Sequence, residues 1–206
     1  MPKKTHKKRN FLIGGLSYVL LFLGASEDIG GHDSDNVCGG KQRWAVKVLA
    51  DPGAATIKKT PVVTTIDQLT QIDTEIPEHK FKETAPRMDI EQQVYTIKNC
   101  FITDILREDD NDYHLVIEDG KGNHMVAEIP DPECDDAANS GWVDDFIQAR
   151  TLIEEDGTRF RHFRYTITGV LFRDKTHGVT GRAPNNVELH PVIKIKRQKA
   201  INPIEQ

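Results

Sequence analysis

Two histidines near the C-terminus, His177 and His190, are the side chains best suited to carry chemistry, because carboxylates flank them at Asp174 and Glu188. A neutral imidazole is the commonest protein metal ligand, and its proton moves near neutral pH. His177, His190 and Asp174 are the metal candidates. His177, His190 and Glu188 are the candidates for acid–base work, and a divalent cation is the one cofactor the set implies. They lie in YTITGVLFRDKTHGVTGRAPNNVELHPVIKI, residues 165–195, where two strand-like runs flank a long polar loop over 174–186. Loops held at both ends by rigid strands are common places for binding groups. The blander reading is that His190, on a strand before Pro191, bonds a neighbouring loop, and that His177 beside Gly178 serves the turn.

A second set comes from a hairpin. Tyr113–Glu118 and His124–Ile129 alternate apolar and polar residues across the Gly-containing loop 119–123. Pairing Glu118 with His124 sets Leu115 opposite Ala127 and Ile117 opposite Met125 on one apolar face. The other face then carries His114 opposite Glu128 and Val116 opposite Val126. Such His–Glu pairs either poise an imidazole for proton transfer or are solvated surface pairs worth under about 1 kcal/mol each. Asp109, Asp110 and Asp112 offer oxygen ligands without EF-hand spacing. Arg159, Arg161, His162, Phe163, Arg164 and Tyr165 mix base and aromatic character as single-strand binders do, although alternation into a strand turns half of them to the core. No G-x-S-x-G element or phosphate loop is present.

The elements that must position these residues follow from periodicity. Val94–Arg107 reads as a long strand with apolar residues on both parities, which calls for a bulge or burial on both faces. Trp142, Phe146, Ala149 and Ile153 recur at helical spacing, predicting a helix over 141–155 with Ser140 as cap and Gly157 as stop. Arg43–Leu49 reads as a short strand, and Thr64/Thr65 cap a two-turn helix beginning at Ile66. Residues 73–92 read as a linker wrapped around the main domain. The order β-β-β-α-β-β, mainly β with one helix (α+β), is that of a five-stranded OB-like barrel. In that fold the ligand face is the outer surface of strands 2 and 3, flanked by the 1–2 and 4–5 loops. The ligand-binding set predicted here is therefore His114, Glu118, His124, Glu128, Asp174, His177, Arg182 and Asn185.

At the N-terminus five basic residues precede the apolar run Phe11–Ala25 and the small residues Gly24, Ala25 and Ser26. This has the form of a signal peptide over 1–26, with an uncleaved membrane anchor as the alternative. The expected organisation continues with a leader and N-terminal extension over 27–92, the barrel over 93–197 and a tail over 198–206. Cleavage leaves no membrane span in the mature chain. It also removes five of 27 basic residues and no acidic ones, leaving 22 against 32 and a formal charge of −10. That charge disfavours nonspecific nucleic-acid binding. An exported location, periplasmic or secreted, suits a disulfide, and Cys38–Cys134 is the expected pair, worth about 4 kcal/mol in the chain-entropy account. Cys100 lies in an apolar run and reads as a buried free thiol.

DYHLV at 112–116, AEIP at 127–130, HGVTGRAPN at 177–185 and ELHPV at 188–192 resemble segments of a group of exported bacterial proteins of unknown function. The similarity extends to RWAVK at 43–47 and TTI at 64–66. Members commonly show Gln where Val179 stands and Gly where Asn186 stands. The resemblance implies export and a bacterial origin. The expected function is an exported binding module for an oligosaccharide, a single-stranded nucleic acid or a protein partner. The alternatives are a metal-dependent, phosphodiesterase-like hydrolase using His177 and His190, and a structural envelope role.

Overall fold

Tyr113–Glu118 (β3) and His124–Ile129 (β4) pair in the predicted register, from Glu118 opposite His124 to His114 opposite Glu128. The computed structural model describes residues 38–39, 42–74, 76–176 and 178–200. The expectations for the signal peptide, most of the leader, His177 and the last six residues fall outside the described residues. Leu115, Ile117, Met125, Ala127 and Ile129 turn inward from the hairpin and are fully buried. Alternation at a period of two fixes this arrangement, since a slip of one residue would put them all on the outer face.

The long strand is Gln93–Arg107 (β2), and it breaks register against its neighbours between Ile97 and Cys100 and again between Ile102 and Asp104. These irregularities explain its apolar residues on both parities: each one re-aims the side chains that follow. Phe163–Arg173 (β5) and Val187–Ala200 (β6) complete the sheet. The strands run in the order β2-β3-β4-β6-β5, and β5 pairs back to β2, so the sheet closes into a five-stranded barrel. The β4–β6 pairing is parallel and the other barrel pairings are antiparallel. The fold is thus the OB-like, mainly β architecture that the order of elements predicts. Ile97, Ile102, Tyr165, Ile167, Leu171, Leu189 and Val192 fill the interior with the hairpin residues.

The helix between β4 and β5 spans Val143–Asp156, two residues later at its start than predicted, and Gly157 ends it. Ser140 accepts from the Trp142 amide at 3.3 Å, just ahead of the first turn. Ala149 and Ile153 join the barrel core, and Phe146 packs in a second apolar cluster with Val48, Leu49, Val170 and Ile193. Of the base-rich run Arg159–Tyr165, expected to alternate into a strand, the part up to His162 lies in the 3-10 turn Gly157–His162, and the strand begins at Phe163.

Three further differences lie at the edges. Arg43–Leu49 is not a strand: Trp44–Lys47 (α1) is one helical turn, entered and left through positive φ at Arg43 and Leu49. Val46, Lys47, Val48 and Leu49 are all buried, a contiguous block rather than the alternation of a half-buried strand. A strand absent from the sequence reading, Lys58–Thr64 (β1), runs parallel to β2 outside the barrel. It is exposed along almost its whole length, so it has no amphipathic signature, and Pro61 is tolerated because it is an edge. The helix after Thr65 is shorter than two turns, Ile66–Thr70 (α2), and Thr65 and Gln68 form a capping box. β6 also runs on through Ala200, beyond the expected end of the barrel at 197.

Cys38 and Cys134 form the expected disulfide, with α-carbons 5.2 Å apart, and Cys100 is a buried free thiol that burial pushes up to about 12. The N-terminal segment is tied on by Arg43, whose guanidinium binds both oxygens of Glu91 at 2.7 and 2.5 Å and lies over Phe172. Glu91 also accepts from the Arg173 amide, so one buried carboxylate joins the segment to β5.

Candidate functional site

Outward-facing residues of β3, β4 and β6 form the surface where an OB-like barrel would take its ligand. Two layers cover half of it: the α1 turn, which sends in Lys47, and the loop over 174–186. The loop is pinned at its base by the Asp174 amide donating to Asn186 and the Asn186 amide donating to Ala183. Glu78 holds it from the side, accepting from the Thr176 amide at 2.8 Å and pairing with Arg173 at 3.1 Å. Gly181, at φ 80°, lies flat on β3, and a Cβ there would fall 2.6 Å from Val116 Cγ1. Only glycine permits that backbone and that approach.

Beneath the cover lies a buried polar cluster. Glu128 stands at its centre: one oxygen is 2.9 Å from His114 Nδ1, and the other is 2.7 Å from His190 Nδ1 and 3.9 Å from Lys47 Nζ. The remaining nitrogen of His114 meets the Thr180 carbonyl at 2.9 Å, and Glu108 approaches Nδ1 at 3.2 Å from the solvent side. His190 Nδ1 also meets Glu188 at 3.2 Å, while its Nε2 faces Asp112 Oδ2 at 3.4 Å. Asp112 Oδ1 accepts from the Asp131 amide. His114 and His190 are both completely buried.

Charge follows from this geometry. Both nitrogens of His114 face acceptors, which favours the doubly protonated ring. Burial opposes that charge, but the Glu128 bond and charge, the Thr180 carbonyl and Glu108 together outweigh it and raise His114 to about 9. Burial and Lys47 oppose charge on His190, and Glu128 and Asp112 together raise the ring well above its ordinary value. Burial works against the Glu128 carboxylate too, yet Lys47 and His190 hold it well below the usual carboxylate range. Lys47 is raised against the effect of its burial by Glu128 and then Glu188. Burial, then Glu128 and Asp174, push Glu188 up to about 7, and burial raises Asp112 as well.

Of the predicted residues, the structure brings together His114, Glu128, Glu188 and His190, with Asp174 buried beside them. The expectation of solvated His–Glu pairs on the hairpin fails for His114 and Glu128, because the loop and α1 exclude water from them. It holds at the other end, where His124 is exposed and Glu118 half-buried. Asn185 serves the scaffold, donating to the Leu69 and Ile72 carbonyls at the end of α2. Arg182 is exposed and bonds Asn186. His177 is outside the described residues. Lys47 was missed, and its only signal was a lysine inside an otherwise apolar run.

The face stays open around Glu118 and His124. There a cleft of about 230 Å³ is lined by Phe101, Ile102, Thr103, Glu118, Gly120 and Arg161. Arg164 stacks over the Phe101 ring at 4.4 Å, and Arg161, 62% exposed at its side chain, holds the Thr103 carbonyl and faces Asp104 at 3.6 Å. A second cleft of about 310 Å³ lies between the helix and β3, but its Arg150 and Tyr113 are committed to Asn111, Ile129 and Glu154.

Compared with protein-family models, with curated proteins and with solved structures, the chain finds no match.

Proposed function

We propose that the protein is an exported OB-like binding module that takes single-stranded nucleic acid on the open half of its β2–β4 outer face. The observation that carries this reading is the cleft at Phe101, where an aromatic ring and two arginines stand together beside Glu118 and His124. Sequence-tolerant single-strand binders combine these elements: a ring for bases and guanidinium groups for phosphates, with each stacked base worth about 1–3 kcal/mol. The overall charge works against distant attraction, so affinity rests on this local set. Export is supported by the Cys38–Cys134 disulfide, and among the described residues no helix is long and apolar enough to cross a membrane. The hydrolase reading has less support, since His190 is fully enclosed beneath the loop and α1.

Anisotropy of a fluorescent oligothymidylate tests the proposal. Binding should weaken with salt, and Phe101→Ala and Arg161→Ala should each reduce affinity by roughly tenfold, the scale of one lost stacking contact. Absence of binding, with a labelled oligosaccharide bound instead, would replace the ligand class.

A further inference from the structure

The cluster holds two buried polar atoms that face each other and bond nothing else. Asp112 Oδ2 and His190 Nε2 belong to completely buried side chains and make no hydrogen bond. Leaving such atoms unsatisfied costs free energy, and native interiors rarely do so. They face each other at 3.4 Å, at ion-pair distance but outside hydrogen-bond geometry. Two ligands on one tetrahedral ion with bonds of about 2.0–2.1 Å stand roughly 3.3–3.4 Å apart. One donor atom from each of Asp112, Glu128 and His190 lies within 4.8 Å of the other two.

We propose that Asp112, Glu128 and His190 bind a divalent cation of the imidazole-accepting kind, Zn²⁺ rather than Ca²⁺ or Mg²⁺. The donor set, one nitrogen and two carboxylates, suits that class. The surrounding contacts suit ligands held in place. His190 Nδ1 faces Glu128 at 2.7 Å and Glu188 at 3.2 Å, which orients the ring and leaves Nε2 as the donor, and Asp112 Oδ1 is fixed by the Asp131 amide. The ion reaches the site from the Glu108 side, where the second three-donor set, Glu108, His114 and Glu128, shares the central carboxylate and meets solvent. This site is separate from the Phe101 cleft and stands or falls independently of nucleic-acid binding.

The test is titration of the chelator-treated full-length protein with Zn²⁺ by calorimetry, in two buffers of different protonation enthalpy. Expected are one ion per chain, release of protons on binding and a higher melting temperature. Asp112→Asn, which keeps the side-chain shape, should lower affinity at least tenfold, while His124→Ala, at an exposed histidine, should not. If Asp112→Asn does not fold, proton release and stoichiometry on the unsubstituted chain decide. No uptake by the folded protein, uptake without proton release, or unchanged affinity in folded Asp112→Asn would each overturn the proposal.

Discussion

Glu128 is the residue on which the covered half of the sheet depends, because it faces His114, His190 and Lys47 at once. Removing one partner of a buried charge group leaves the others uncompensated, at a cost of about 3–5 kcal/mol. Glu128→Gln should therefore lose stability on that scale in urea denaturation, and a loss below about 1 kcal/mol would show that the cluster does not hold the fold. The pairing of His114 with Glu128 was legible in the sequence, because alternation and a short turn leave one register with the apolar residues inside. Its burial was not legible: the groups that exclude water come from residues 43–50 and 174–186, which no local pattern brings to the hairpin. Lys47 was hidden for the same reason, since a turn at Trp44–Lys47 and a short strand share the same run of residue types.

At the scale of elements, the loop over 174–186 decides what the face can do. Its sequence promised exposed ligands, yet Gly181 lies on Val116, Thr180 caps His114, and Asn185 secures α2. Glu78 anchors the loop while ionised. Burial acts to raise its pKa, but the Thr176 amide and hydroxyl, then Arg173 and Lys175, together lower it below the ordinary carboxylate value. A depressed carboxyl contributes stability that is present above its unfolded pKa and is lost as pH falls through the folded one. The anchor should thus weaken as pH falls below the ordinary carboxylate range, detectable as faster hydrogen exchange at Thr176 while the β3–β4 amides stay protected. Equal acceleration in both would mean that the loop does not open separately. The edge strand β1 was unreadable because both its faces meet solvent, whereas β2 announced its bulges through apolar residues of both parities.

For the whole molecule, closure of the barrel and attachment of the N-terminal extension rest on different forces. The barrel closes by strand pairing around an aliphatic core, and this was legible from the order of elements alone. The extension is joined by the hydrogen bonds of Arg43 and Glu91 to the Arg173 backbone, the Phe146 cluster and the Cys38–Cys134 bridge across 96 residues. Reducing that bridge frees a long loop in the unfolded chain, so Cys134→Ala should lose about 2–5 kcal/mol, read as a fall in melting temperature. No fall would show that the extension is held by its packing alone.

The central claim is that ligand meets the open half of the sheet and not the covered half. Nitrogen-15 NMR shift mapping with an unlabelled oligothymidylate tests it directly. The account predicts that the largest amide shifts fall at Phe101, Thr103, Glu118, Gly120, His124, Arg161 and Arg164, with His114 and Glu128 unmoved. Shifts centred on the helix–β3 cleft, or no shifts at saturating oligonucleotide, would contradict it.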